Sequence, residues 1–527
     1  MGRFRGVLCA AAVLALSTCA RVPAAPYDVE ETSLAQVSAD LATRYTTSEA
    51  VTQAYIARIK AYDAALHAII AIAPDAIAQA QASDARRRHG KTLGPLDGVP
   101  ILLKDNIDVA GIPTTAGSYA LVDNIPREDS EIARRLRAAG AVLLGKTNTT
   151  QFANFRTRFV LNGSTVGGVP HNPYDLTRTP CGSSNGSGIA AAVSFAAAAI
   201  GTETSGSIVC PASVMSLVGM KPTVALISRR GIVPISHNQD TAGPMARSVT
   251  DAAMLLDVIV GSDPADAPTA AADTHKAAYA KNLDAGALKG KRIGVVRGLS
   301  GYDIQSAAPF EAALDVLTAQ GAEVVDVPRQ IFEDLASEMQ VILLHDFKID
   351  LNAYLARTAP TVKTRTLADV IAFSKTDPRE KMHHVDLLEA AQKTGGDDTD
   401  YKRILAHAQE AAGARGIGRG IAEYNVSALV VPTLGPAPHI APDGTDTSVM
   451  QNDRNVSKEL FRPSLISTAA IAGYPHITLP MGEVSRLPVG ISFIGAPWSE
   501  SMLLNFAYAY EQATHKRLRP PPLTPTP

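Results

Sequence analysis

A lysine at the end of an apolar run and two serines in glycine-rich turns are the residues whose types and spacing could do covalent chemistry. Lys104 lies in Gly98-Val99-Pro100-Ile101-Leu102-Leu103-Lys104-Asp105-Asn106. A lysine emerging from a buried strand cannot easily reach water, and desolvation lowers its pKa toward a neutral amine able to accept a proton. Ser183 lies in Cys181-Gly182-Ser183-Ser184-Asn185-Gly186-Ser187-Gly188. Its hydroxyl both donates and accepts, and so can relay a proton. Ser207 lies in Gly201-Thr202-Glu203-Thr204-Ser205-Gly206-Ser207-Ile208-Val209-Cys210-Pro211-Ala212. A tight turn with Gly206 beside a serine can aim successive backbone N–H groups at one point, as an oxyanion hole requires. Each feature also has a plainer reading. Lys104 could be a surface lysine paired with Asp105, the serines of 183–187 could cap a helix, and residues 201–212 could be a polar helix-to-strand loop.

The elements that must position these groups can be read from periodicity. Residues 32–90 read as helical, with an amphipathic run from Ser48 to about Tyr62 and an Ala-rich run from Pro74 to Arg88. Val99–Leu103 reads as a strand, Ser130–Ala139 as a helix and Ala141–Leu144 as a strand, an alternation that argues for an α/β architecture. Residues 154–187 form a Gly-, Ser-, Asn- and Pro-rich loop, and so long a loop in a compact fold is usually functional or disordered. Gly188–Ile200 is a run of small residues with helical character. Farther on, Lys291–Val296 and Val324–Val327 read as strands flanking a helix at Ala307–Gln320. Leu429–Val431 and His476–Leu479 read as returning strands. Residues 331–424 are mostly helical and polar, like an outer layer or cap, and the Pro-rich tail Arg517–Pro527 is expected to be mobile.

Composition narrows the classes. The chain has 527 residues, 46% hydrophobic and 19% charged, with a formal charge of −2. That is ordinary for a soluble enzyme and offers no basic face for nucleic acid. No apolar run approaches the roughly 18 residues needed to span a bilayer. Two of the four cysteines, Cys9 and Cys19, fall in the first 25 residues, which leaves Cys181 and Cys210 for the folded part. These are expected to be two buried free thiols, although an exported chain could oxidise them. Neither has a Cys or His neighbour at metal-ligand spacing, so no zinc is expected. The pair His383-His384 reads as solvated surface. The cluster Gly413-Ala414-Arg415-Gly416-Ile417-Gly418-Arg419-Gly420 follows a helix and has no Lys-Ser/Thr ending, so it reads as a flexible helix connection and not as a phosphate loop.

The N-terminus reads as a secretory signal over residues 1–25. Arg3 and Arg5 form a basic region, Val7–Leu16 an apolar one, and small residues around Ala24 and Ala25 offer a cleavage site. Leu16-Ser17-Thr18-Cys19 also resembles a bacterial lipobox, with threonine atypical before a lipidated Cys19. A periplasmic or secreted protein, or a membrane-anchored lipoprotein, is therefore expected.

Taken together, the reactive segments resemble the amidase signature family. Its pattern is a Gly/Ser-rich GSS-G-S stretch, a small-residue helix and a G-T-[DE]-x-x-G-S-I turn ending in Pro-Ala. Here it reads GSSNGSGIAAAVSFAAAAIGTETSGSIVCPA over residues 182–212, with Ser207 following Ser183 by 24 residues. The likeness extends to LLKDN around Lys104, VGMKPT at 218–223, GPMARSV at 243–249 and AGYPHITLPMG at 472–482. The resemblance implies a single unit over residues 26–527, an α/β fold in which helices cover both faces of a large, mixed, twisted β-sheet, with 331–424 as the cap. It implies Ser207 as the acylated nucleophile, Ser183 as a bridging serine in a cis-peptide position and Lys104 as the terminal base. Backbone N–H groups of Thr204, Ser205, Gly206 and Ser207 would form the oxyanion hole, and no histidine, metal or cofactor would be required.

The segments ANFR, NPYDLTRTPCGSS, GTET, SIVCPA and SHNQDTAGPMARS look most like bacterial peptide amidases, which remove the C-terminal amide from peptides. A peptide amide or small-molecule amide is thus the expected substrate, with ammonia released. Glu203 stands for the family's usual Asp, Val209 for Arg, Ser205 for a frequent Gly or Asp, and Asn185 for a frequent Gly. None removes a triad member. Other carboxamides, esters or lipid amides are alternative substrates. A catalytically silent exported binding protein need not retain all three reactive groups, and an amide-transfer role within a larger complex sits poorly with an export signal.

Overall fold

The computed structural model describes residues 27–525 except 158–162, 300–303, 381–383, 396–397 and 441–463. The expected signal and Cys19 therefore lie outside the described residues, as does His383. Four helices lead in: α1 (Leu34–Ala42), α2 (Ser48–Tyr62), α3 (Ala76–Arg88) and α4 (Glu131–Ala138). Thr47 caps α2 by accepting the Ala50 N–H, and Ser130 caps α4 by accepting that of Ala133; these bonds satisfy donors that the first turn leaves open. Between α2 and α3 lies a strand absent from the sequence reading, β1 (Ile69–Ile72), only half-buried at a sheet edge.

The remaining strands are β2 (Pro100–Lys104), β3 (Val142–Thr147), β4 (Ala198–Glu203), β5 (Val218–Lys221), β6 (Thr241–Ala246), β7 (Arg292–Val295), β8 (Glu323–Asp326), β9 (Ala428–Pro432), β10 (His476–Val484) and β11 (Leu487–Ile494). They form one eleven-stranded sheet in the order β1-β3-β2-β4-β6-β5-β10-β11-β9-β7-β8. Pairing is mixed: β2 runs parallel to both β3 and β4, whereas β4 meets β6 antiparallel. Every residue of β2, β3 and β4 is buried, which explains why β2 and the start of β3 read as continuous rather than alternating apolar runs. Three helices pack on the centre of the sheet: α5 (Asn185–Ala192), α6 (Val209–Val214) and α7 (Val249–Ile259). Farther along come the short α8 (Ala272–His275) and α9 (Ala307–Ala319), and helices cover both faces.

Two expectations near the centre need correcting. The small-residue helix stops at Ala192, and Ala198–Ile200 belongs to β4. Runs of alanine serve a tightly packed strand as readily as a helix, so composition alone misplaced the boundary. Consequently the turn at 204–208 runs from a strand to a helix, not from a helix to a strand. A Cβ at Gly201 would lie 2.9 Å from Ser184 Oγ and 2.8 Å from the Met245 sulfur, so only glycine lets the Ser183–Ser184 segment lie against β4.

The cap is built from α10 (Ala336–Arg357), α11 (Leu367–Thr376), α12 (Asp386–Gln392), α13 (Asp398–Ala412) and α14 (Arg419–Glu423). It is less polar than expected, with its own apolar cluster in which Ile342, Phe347, Leu351 and Leu388 pack with Phe152 and Phe155 of the main body. Between α13 and α14 the chain continues as a π-helical turn, Gly413–Gly418, with Gly413, Gly416 and Ile417 buried. The glycine cluster is thus a packed helical segment and not a flexible connection. His384 is exposed just ahead of α12. Finally, α15 (Leu465–Ile471) and α16 (Glu500–Thr514) close the fold. The start of the tail is held in place: Arg517 pairs with Glu31, and Leu518 bonds Ser216 and Tyr174.

A buried ion pair joins cap and body. Arg156 and Glu380 are both fully buried and in direct contact. Glu380 also accepts from Ser118 Oγ at 2.9 Å, the Tyr119 N–H at 2.6 Å, Gln151 Nε2 at 2.8 Å and Thr165 Oγ1 at 2.8 Å. Burial opposes its ionisation, but the Arg156 charge and these donors outweigh it and hold the carboxyl below its ordinary range. Removing one partner strands a buried charge. Glu380→Ala should therefore lower unfolding stability by about 3 kcal/mol or more, measured by urea denaturation.

Candidate active site

Parallel pairing of β2 with β4 places Leu103 opposite Ile200, so Lys104 at the end of β2 lies beside the last residues of β4, Thr202 among them. Lys104 is fully buried. Its Nζ lies 2.7 Å from Ser183 Oγ, 2.9 Å from Thr202 Oγ1 and 3.3 Å from the Thr202 carbonyl. Burial is the main reason its pKa falls to about 7, against the opposing pull of the Asp240 and Glu203 carboxylates. The surface-lysine reading is thereby excluded. Asp105 does not pair with Lys104; it sits 3.3 Å from Lys146 on β3, both side chains fully buried.

Ser183 follows a cis Gly182–Ser183 peptide bond. Its carbonyl accepts the Thr150 N–H at 3.2 Å and Thr149 Oγ1 at 3.1 Å, so the loop is anchored beside its hydroxyl. One residue on, Ser184 Oγ donates to the Thr202 carbonyl at 3.0 Å and accepts the Thr202 N–H at 3.2 Å. The Ser184 N–H donates to the carbonyl of Ser207 at 3.2 Å, which brings the two serine segments into contact. Ser207 is buried, 8% exposed, in the turn between β4 and α6.

The turn is shaped by Glu203. Its carboxylate accepts the N–H groups of Gly206 at 2.9 Å, Ile208 at 2.8 Å and Val209 at 3.0 Å. Gly206 has φ +81°, a left-handed conformation suited to glycine. Its N–H is committed to Glu203, which removes it from the expected set of four oxyanion donors. Thr204, Ser205 and Ser207 are the three that remain.

A second carboxylate braces the far side. Asp240 is buried, and burial pushes its pKa up to about 6. It accepts from Thr204 Oγ1 at 2.5 Å and from the N–H groups of Ile235 at 2.7 Å and Ser236 at 3.0 Å. The same segment reaches the cap, because Ser236 Oγ and Asn238 Nδ2 donate to the buried Asp346 of α10 at 2.5 and 2.8 Å. Gln239 Nε2 donates to the Thr204 carbonyl at 3.2 Å.

Cys181 and Cys210 form a disulfide, with Cα atoms 6.0 Å apart. This overturns the expectation of two free thiols. Sequence separation says nothing about the closeness that two turns acquire when strand, helix and loop fold back on one another.

Sequence reasoning missed Thr202, Asn106 and Asp240. Thr202 Oγ1 receives both Lys104 and Asn106 Nδ2, the latter at 2.9 Å. Thr202 and Asn106 lie inside motifs quoted above and carried a signal in their position beside Glu203 and Lys104. Asp240 also lies inside a quoted segment, SHNQDTAGPMARS, but its partner Thr204 is remote in sequence, so its contact was not foreseeable.

Known proteins share this fold. The family model Amidase matches residues 50–504. A peptide amidase from Stenotrophomonas maltophilia superposes with a TM-score of 0.85 at 43% identity, covering 93% of this chain and 98% of that one. A probable amidase of Arabidopsis thaliana is 35% identical, over 94% of this chain and 92% of its own. A glutamyl-tRNA(Gln) amidotransferase chain of Salinispora arenicola is also 35% identical, over 92% and 98%. The chain belongs to the amidase signature family and is an amidase, a hydrolase of carbon–nitrogen bonds.

Proposed function

We propose that this amidase releases ammonia from C-terminally amidated peptides through an acyl-enzyme on Ser207, with Ser183 as proton relay and Lys104 as base. The observation that carries the reading is the buried Lys104 amine 2.7 Å from the Ser183 hydroxyl. Serine is a weak nucleophile until a base takes its proton, and a lysine held near pKa 7 is such a base at neutral pH.

Proton positions follow from the partners. A neutral amine has two N–H bonds and one lone pair. The Thr202 carbonyl can only accept, and Thr202 Oγ1 accepts from Lys104 at 2.9 Å. With both N–H bonds directed at Thr202, the lone pair faces Ser183. The Ser183 proton moves to Lys104 as the Ser207 proton moves to Ser183, and the Ser207 oxygen bonds the amide carbon. The carbonyl electron pair moves to oxygen, which the N–H groups of Thr204, Ser205 and Ser207 would receive. Collapse breaks the carbon–nitrogen bond. The departing nitrogen takes a proton from Ser183, which Lys104 replaces. Water then repeats the sequence and frees the acid.

The substrate assignment draws on the 43% identity to a peptide amidase over nearly the whole chain. Export draws on the basic and apolar N-terminal run and on a disulfide suited to an oxidising compartment. That setting favours hydrolysis over the amide-transfer role of the Salinispora relative.

Four outcomes check the reading. The log of kcat/KM for a peptide amide should rise with pH and level off above about 7 as Lys104 loses its proton; a flat profile from acid to mildly alkaline pH, with chemistry limiting, opposes it. Ser207→Ala and Lys104→Ala should each lose roughly 10³-fold or more in kcat. A fluorophosphonate should label Ser207 in the wild-type chain, and mass-spectrometric screening of amidated peptides against small amides and nitrophenyl esters reads the substrate class. Thr202→Val should lower kcat about tenfold, the worth of one hydrogen bond, with KM little changed, and Thr202→Ser should restore it.

A further inference from the structure

The Cys181–Cys210 disulfide lies where the two serine segments approach. Cys181 is two residues before Ser183, and Cys210 is three after Ser207, in the first turn of α6. Both hydroxyls therefore sit inside the loop that the bond closes. Upstream of Ser183, residues 163–184 contain no strand and no helix, only isolated bridges such as Asn172 with Asp175 and Arg178 with His439. The N-terminal side of the Ser183 loop thus lacks a sheet ladder to hold it. Helix α6, in contrast, packs on β5, β10 and β11, so Cys210 stands on rigid ground. The covalent bond transfers that rigidity to the residue beside Gly182.

We propose that this disulfide is a positioning device that sets the spacing between the Ser183 loop and the Ser207 turn, so that its reduction by a thiol slows acylation without unfolding the chain. The proposal rests on Ser207 being the nucleophile. Neither cysteine belongs to the eleven-stranded sheet or to the cap cluster, so the bond can open while both persist. Both cysteines are half-buried, which leaves them within reach of a small dithiol. Reduction adds two electrons and two protons to the sulfur–sulfur bond, and the dithiol supplies both as it closes to its own cyclic disulfide. Transfer between two hydroxyls in series is steep in distance, and a displacement of about 1 Å can cost 10²-fold.

The test uses the full chain and a fluorophosphonate probe, with the labelling rate at Ser207 read by mass spectrometry. Rates are compared for the oxidised wild type, the wild type in dithiothreitol and the Cys181→Ser/Cys210→Ser double variant, with far-UV circular dichroism recorded on each sample. The proposal expects labelling and kcat to fall about tenfold or more in the last two, with KM and dichroism held, return of the wild-type rate on reoxidation, and no effect of dithiothreitol on the double variant. Equal labelling rates overturn it. So does a loss that tracks loss of dichroism, in the double variant or the reduced wild type, or the finding of Cys181 and Cys210 as free thiols without reductant. No labelling of the oxidised wild type at Ser207 would instead remove the nucleophile assignment, and this proposal with it.

Discussion

The constraint on which the site depends is the removal of one amine from water. A charged ammonium in a protein interior is costly unless it is paired, and where no carboxylate touches it the group gives up its proton instead. Lys104 meets two hydroxyls and a carbonyl, and no acid at contact distance. Asp105, its sequence neighbour, is occupied by Lys146 and by Thr115. The nearest carboxylates act through space only and fall short of restoring the charge. Had Asp105 turned toward Lys104, its charge would have favoured the protonated amine.

Strand order supplies the geometry. Two parallel neighbours, β2 and β4, end within two residues of one another, and the carboxyl ends of parallel strands are where α/β sheets place their ligands. Lys104 and Thr202 meet there because the sheet is closed around them, with β3 on one side and β6 on the other. Glu203 then turns the chain out of the sheet by gathering three N–H groups. A glutamate in place of the family's usual aspartate still reaches them, and it engages the Gly206 N–H in doing so.

Legibility in the sequence followed the range of the interactions. The strand ending in Lys104 was visible because five consecutive buried residues leave a continuous apolar run. The serine turns were visible because glycine and serine cluster where a backbone must bend tightly. The edge strand β1 was hidden by its half-exposed pattern inside a helical neighbourhood, and β4 by alanines that suit either element. The disulfide, the Glu380 anchor and Asp240 all join residues that only tertiary folding brings together. No local pattern announces such pairs, whereas Thr202 could have been found by asking which group would hold the N–H bonds of a neutral lysine.

The five residues from Ser236 to Asp240 belong to two structures at once. One end bonds the cap at Asp346, and the other bonds the turn at Thr204. A change in the cap at Asp346 can thereby reach the turn at Thr204 through these five residues, and groups that share partners in this way do not contribute additively. Packing of the cap and shape of the turn are coupled traits in this molecule, and an evolutionary path that alters one carries epistasis into the other.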